Sequence, residues 1–210
     1  ELFPEGLKEA ISHFDPNKNI VYLHLTDDAL TVVHETAHAI DEGAMCRKVT
    51  EHVGSHNFEW EINSASMNVQ ELSKPYIDSD IESIAKYIGV TVDKGHFTCS
   101  NADVIRGFEK YANNILNQFP DDRSAFSCVS DIISGMTDDL INGSKEFGGH
   151  SKEYWQSGIQ GNGAFMVNIE AWADFCALKV SKNKNMLSVL KNIVPGMYEA
   201  LEQTYREVFD

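Results

Sequence analysis

The 210-residue sequence is poor in basic residues, in long apolar runs and in closely spaced cysteines. Lysine and arginine total 17 against 32 aspartates and glutamates, a formal charge of -15, so the cations needed to neutralise nucleic-acid phosphates are missing. No nucleic-acid partner is expected. No stretch approaches the roughly 18 to 20 uninterrupted apolar residues of a membrane-spanning helix, which excludes membrane insertion through such a segment. The opening ELFPEGLKEA lacks the pattern of a signal peptide, and a chain starting at Glu1 rather than Met is expected to be a processed or excised piece of a longer polypeptide. A soluble protein is expected, and its location, cytoplasmic or secreted as an effector, is left open. Cys46, Cys99, Cys128 and Cys176 form no C-x-x-C pair, which excludes a zinc knuckle and a redox dithiol. They are expected to be buried thiols, with disulfides open to a secreted chain. Neither a repeat nor a Pro/Gly linker divides the sequence, so a single domain over 1–210 is expected.

With 42% hydrophobic residues the chain can build a core. A short helix over Glu5–His13 and a turn at Asp15-Pro16-Asn17 lead to a β-branched, apolar run, Asn19–Leu25, of strand length. Thr26, Asp27 and Asp28 supply N-cap chemistry for a helix over Ala29–Ala44 that ends near Gly43. Residues 46–74 are mixed, a loop or a short strand pair. Ser79-Asp-Ile-Glu82 is a capping box for a helix to Ile88, and further helices are predicted over Asn101–Phe119, Arg123–Leu140 and Val167–Lys179. A Gly-rich loop at Gly158–Gly163 precedes the last of these, and two more helices flank Pro195. The expected class is α+β, mainly helical, with one small sheet.

Within the first long helix stands His34-Glu35-Thr36-Ala37-His38. Histidines four apart project from one helical face, and two neutral imidazoles suit zinc. Glu35, beside the first histidine, can take a proton from water activated there. With 8 His and 17 Glu in the chain, about 0.02 to 0.03 chance matches to H-E-x-x-H are expected. The uncharged flanks, Thr31-Val-Val and Ala39-Ile40, suit a buried active-site helix.

A catalytic zinc needs a third protein ligand and an open position. The spacing H-E-x-x-H-x-x-G-x-x-H would put that ligand at Ala44 and its glycine at Asp41, so it does not apply. Asp41 and Glu42 follow too closely on the same helix to ligate without strain and are expected either to support the ligands from behind or to be helix-end carboxylates. Glu170 and Asp174, also four apart, stand among Ala171, Trp172, Ala173, Phe175 and Cys176, where a solvated carboxylate is out of place. Glu170 is the expected ligand and Asp174 the acceptor for the free N–H of a ligand histidine. His150 and Tyr154, after Gly148-Gly149, are candidate donors to the oxyanion of a hydrolysed carbonyl. The His52/His56 pair has no adjacent base and is set aside as coincidental.

His34-Glu35-x-x-His38 with Glu170-x-x-x-Asp174 resembles the gluzincin group of zinc metallopeptidases. Val33–Asp41, the Glu-Ala-Trp-Ala-Asp-Phe run and Gly-Gly-His-Ser-Lys-Glu-Tyr-Trp are similar to lethal-factor-like, phage minor-head and polymorphic-toxin zincin domains. The resemblance implies a zincin-like fold, one zinc on His34, His38 and Glu170, Glu35 as general base, Tyr154 or His150 as oxyanion donor, and a protein or peptide substrate. It spans residues 19–44 and 125–180. The 131 residues between His38 and Glu170 exceed the short connection of thermolysin-like enzymes, so an insertion is expected at about 46–120, beside the cleft. The alternative is a non-catalytic binding or assembly module, of the phage-structure kind, with structural or vestigial zinc.

Overall fold

A computed structural model of the chain describes residues 12–24, 26–53, 56–146, 149–150, 154–155 and 163–210, without the side chains at 42, 51–53, 56, 60 and 163–165. These residues are mainly helical and carry three separate two-stranded antiparallel hairpins where one small sheet was expected.

Strands β1 (His13–Asp15) and β2 (Ile20–Tyr22) join through the Asp-Pro-Asn turn, where Asp15 Oδ1 accepts the N–H groups of Asn17 and Lys18 at 3.0 and 3.2 Å. The strand is shorter than the predicted Asn19–Leu25 because Asn19, at φ 52°, belongs to the turn. Helix α1 (Ala29–Asp41) starts where Asp28 Oδ1 accepts the Thr31 N–H at 2.9 Å. It ends before the predicted Ala44, since Gly43 takes φ 78° and the chain turns into β3 (Glu42–Val53), paired with β4 (His56–Ser64). The predicted loop or short strand pair is thus the longest hairpin among the described residues, followed by α2 (Ala65–Ser73) with Ser64 accepting the Met67 N–H at 3.2 Å.

Helix α3 (Ile77–Ile88) runs on from a 3-10 turn, Lys74–Tyr76, that begins around Pro75. The capping box predicted at Ser79–Glu82 does not form, because Ser79 already lies inside the helix and donates to the Tyr76 carbonyl at 2.8 Å. After a small hairpin, β5 (Val92–Asp93) and β6 (His96–Phe97), come α4 (Asn101–Gln118) and α5 (Arg123–Met136). α5 stops short of Leu140 where Asp138 and Asp139 adopt φ of 50° and 63°. α6 (Gly163–Val180), α7 (Lys184–Ile193) and α8 (Pro195–Phe209) complete the chain, with Pro195 at the first turn of α8. Of the predicted opening helix only Ser12 and His13, the latter in β1, lie within the described residues, and of the predicted Gly-rich loop only Gly163, the first residue of α6.

α6 is the centre. Every residue from Glu170 to Leu178 is buried, and α1, α2 and α5 pack along it. Ile84, Ile88, Val104 and Phe108, from α3 and α4, enter the same apolar cluster as Trp172, Phe175 and Leu178. Two carboxylates cap helices far from their own. Asp41 accepts the Ser66 N–H at 2.7 Å at the start of α2, and Asp80 accepts the N–H groups of Gly196 and Met197 at 2.9 and 2.7 Å at the start of α8. All four cysteines are free. Cys128 and Cys176 are buried as expected, whereas Cys46 is exposed on β3 and Cys99 half-buried. No described helix is long and apolar enough to cross a membrane. A cavity of about 460 Å³ lined by Ile62, Met67, Met136, Val167 and Met197 lies outside the site described next.

Candidate metal centre

α1 and α6 lie side by side, and each offers the pair of side chains that its i, i+4 spacing aligns. From α1, His34 Nε2 and His38 Nε2 stand 3.0 Å apart. From α6, Glu170 Oε2 lies 3.2 Å from the first nitrogen and 3.4 Å from the second. A tetrahedral ion with bonds of 2.0–2.2 Å requires ligand–ligand edges of about 3.3–3.6 Å, close to this triangle. The three groups could hold a metal ion.

The surroundings favour a cation. Glu170 is 1% exposed, and its Oε2 accepts no hydrogen bond from a described group. Glu35, Asp131 and Asp174 are buried close by, at 9%, 4% and 4% exposure, so several carboxylates share a water-poor space with three imidazoles. Burial acts to raise the Glu170 carboxyl, but the facing imidazoles of His34 and His38 outweigh it and hold the group well below the usual carboxylate range. Burial likewise acts to lower His34, and the charges of Asp174 and Glu170 override it, raising the imidazole well above its ordinary value. Asp174 Oδ1 lies 2.9 Å from His34 Nδ1 and therefore fixes which histidine nitrogen faces Glu170. Burial drives the Asp174 carboxyl upward against that pairing.

The other expected residues divide. Tyr154 donates its hydroxyl to Glu170 Oε1, and burial together with the Glu170 charge raises its phenol above the usual value. The charge of Glu35 adds to that rise. His150 stacks on Tyr154 with ring centroids 3.9 Å apart. Asp41 does not join them: its oxygens accept the Ser66 N–H and hydroxyl at 2.7 and 2.6 Å, so it serves the start of α2. The side chains of His52 and His56 lie outside the described residues.

Asp131 was not among the expected residues. Its carboxylate accepts the His150 backbone N–H at 2.8 Å and lies 3.1 Å from His150 Nδ1. The available signal was its position in α5, where Asp131 and Arg123 are the only charged residues from Arg123 to Met136. Comparison with protein-family models, with curated proteins and with solved structures finds no match to the chain.

Proposed function

We propose that the chain is a zinc metallopeptidase of the gluzincin kind, with His34, His38 and Glu170 as ligands. The observation that carries this is the convergence of His34 Nε2, His38 Nε2 and Glu170 Oε2 to within 3.0–3.4 Å of one another, with Glu35 on the same helix as the two histidines. Two imidazoles and a carboxylate, with no fourth group joining them among the described residues, are the donor set of a hydrolytic zinc site. When bound, zinc supplies Lewis-acid polarisation of a carbonyl and makes water acidic enough to give up a proton near neutral pH.

The protein groups then have distinct roles. Glu35 takes the proton from the attacking water and passes it to the leaving amine, so the proton count closes within one turnover. Tyr154, on the far side of Glu170, donates to the oxygen that becomes negative as the carbonyl turns tetrahedral, with His150 stacked against it. Asp174 holds His34 in the tautomer that leaves Nε2 free to ligate. The edge of β2 away from β1, unpaired among the described residues, offers main-chain hydrogen bonds to an extended substrate.

The deciding experiment screens a peptide library with wild type and Glu35→Gln. Cleavage by wild type, lost in the variant while zinc content is kept, is the expected result. Cleavage that survives in Glu35→Gln removes Glu35 as the base. Zinc binding without cleavage of any peptide assigns the chain to the assembly-module class.

A further inference from the structure

Glu170 faces a second group of possible ligands. The ligand atoms of Asp131, His150 and Glu170 all lie within 4.8 Å of one another. His150 Nδ1 is 3.1 Å from Asp131 Oδ2 and 4.0 Å from Glu170 Oε2. Asp131, 4% exposed, projects from α5 to His150. The His150 backbone N–H donates to Asp131 Oδ1 at 2.8 Å, its ring stacks on Tyr154, and Trp155 meets it edge-on at 5.5 Å.

An Asp–His hydrogen bond alone accounts for half of this arrangement. It leaves Glu170 Oε2 unexplained. A carboxylate oxygen has two lone pairs, and Oε1 is engaged by the Tyr154 hydroxyl, whereas Oε2 is buried, accepts no hydrogen bond from a described group and faces three imidazoles. One lone pair suits an ion shared with His34 and His38. The other points to an ion shared with His150 and Asp131.

We propose that Asp131, His150 and Glu170 form a second divalent-cation site, bridged to the first by the Glu170 carboxylate. It rests on the reading of His34, His38 and Glu170 as a cation site. One imidazole and two carboxylates are a harder donor set than two imidazoles and one carboxylate, so the second site takes Mn²⁺ as well as Zn²⁺. Two ions sharing one carboxylate would fall in the range of about 3.5–4 Å found in two-metal hydrolytic sites, where the pair stabilises the attacking and leaving groups. With the second ion bound, His150 is a ligand, and Tyr154 alone remains as oxyanion donor.

The test is equilibrium dialysis of metal-stripped full chain against ZnCl₂, with bound metal read by elemental analysis in wild type, His38→Ala, Asp131→Asn and His150→Gln. Two equivalents are expected in wild type and one in each variant, with affinity for the second equivalent falling at least about tenfold in Asp131→Asn and His150→Gln. The half-buried His150 makes its variant usable if Asp131→Asn does not fold. One equivalent in wild type that disappears in His38→Ala and persists in the other two overturns the second site and leaves the first standing. No bound zinc in wild type overturns both. Two equivalents retained in both Asp131→Asn and His150→Gln place the second ion elsewhere and overturn the proposal. Loading with two equivalents of Mn²⁺ gives an independent readout: an exchange-coupled electron paramagnetic resonance spectrum is expected, and two isolated six-line signals overturn the bridge.

Discussion

His34 Nδ1 and Asp174 Oδ1 meet at 2.9 Å although 140 positions separate them in the chain. The contact joins α1 to α6 and turns the other nitrogen of His34 toward His38 and Glu170. Asp174→Asn keeps the size of the side chain and removes its charge. Zinc affinity, measured by competition with a chelator of known strength, should fall about 10–100-fold. An unchanged affinity would show that Asp174 does not orient the ligand.

Tyr154 donates its hydroxyl to Glu170 Oε1, so Tyr154→Phe removes that group and keeps the ring stacked on His150. With a cleavable peptide in hand, kcat should drop about 10²–10³-fold while KM and zinc content change little. A loss confined to KM would make Tyr154 a substrate-binding residue and not an oxyanion donor.

The centre was legible in the sequence where it depends on periodicity. His34/His38 and Glu170/Asp174 are both i, i+4 pairs in uncharged surroundings, and helical geometry alone aligns each pair. Asp131 was hidden because its meaning comes from His150, a partner on another segment. The 42–64 hairpin was half legible: Phe58, Trp60 and Ile62 alternate with Glu59 and Glu61 along β4, whereas Arg47 and Lys48 put charge on adjacent positions of β3 and break its alternation. Asp41 reads from its short distance to His38 as either a support of the site or a helix-end carboxylate; it ends α1, and its side chain turns to Ser66 at the start of α2. Such capping across the fold leaves no local pattern.

Asp80 offers a test of that capping. It is 1% exposed and accepts two N–H groups at the start of α8, where Val194 has no side chain to cap with. Asp80→Ala should cost about 1–3 kcal/mol in urea unfolding. Burial, opposed by those two amides, raises the carboxyl above its ordinary value. The folded state therefore binds this proton more tightly than the unfolded chain, and the stability Asp80 contributes through that proton declines as pH rises through the folded pKa. The difference between wild type and variant should accordingly be larger in mild acid than at neutral pH. A difference that grows toward neutral pH would contradict the direction of the shift.

Gly107 marks where α4 crosses the end of α3. A Cβ there would stand 2.3 Å from the Ile88 carbonyl oxygen, a backbone atom that cannot swing aside. Gly107→Ala should lower stability by about 1–3 kcal/mol despite the better helix propensity of alanine. Thermal unfolding followed by circular dichroism checks this. A variant as stable as wild type would mean that the two helices do not approach so closely.

The most direct test of the centre is bound zinc per chain, by elemental analysis, in wild type, His38→Ala and Glu170→Ala purified side by side. The predicted result is that His38→Ala loses one equivalent of the zinc held by wild type and that Glu170→Ala, which lacks the carboxylate common to both groups of ligands, loses or strongly weakens its zinc, since each removes one of the three groups that converge between α1 and α6. Zinc that stays on Glu170→Ala while leaving His38→Ala, or no zinc on the wild type even after it is added, would contradict a His34, His38 and Glu170 centre.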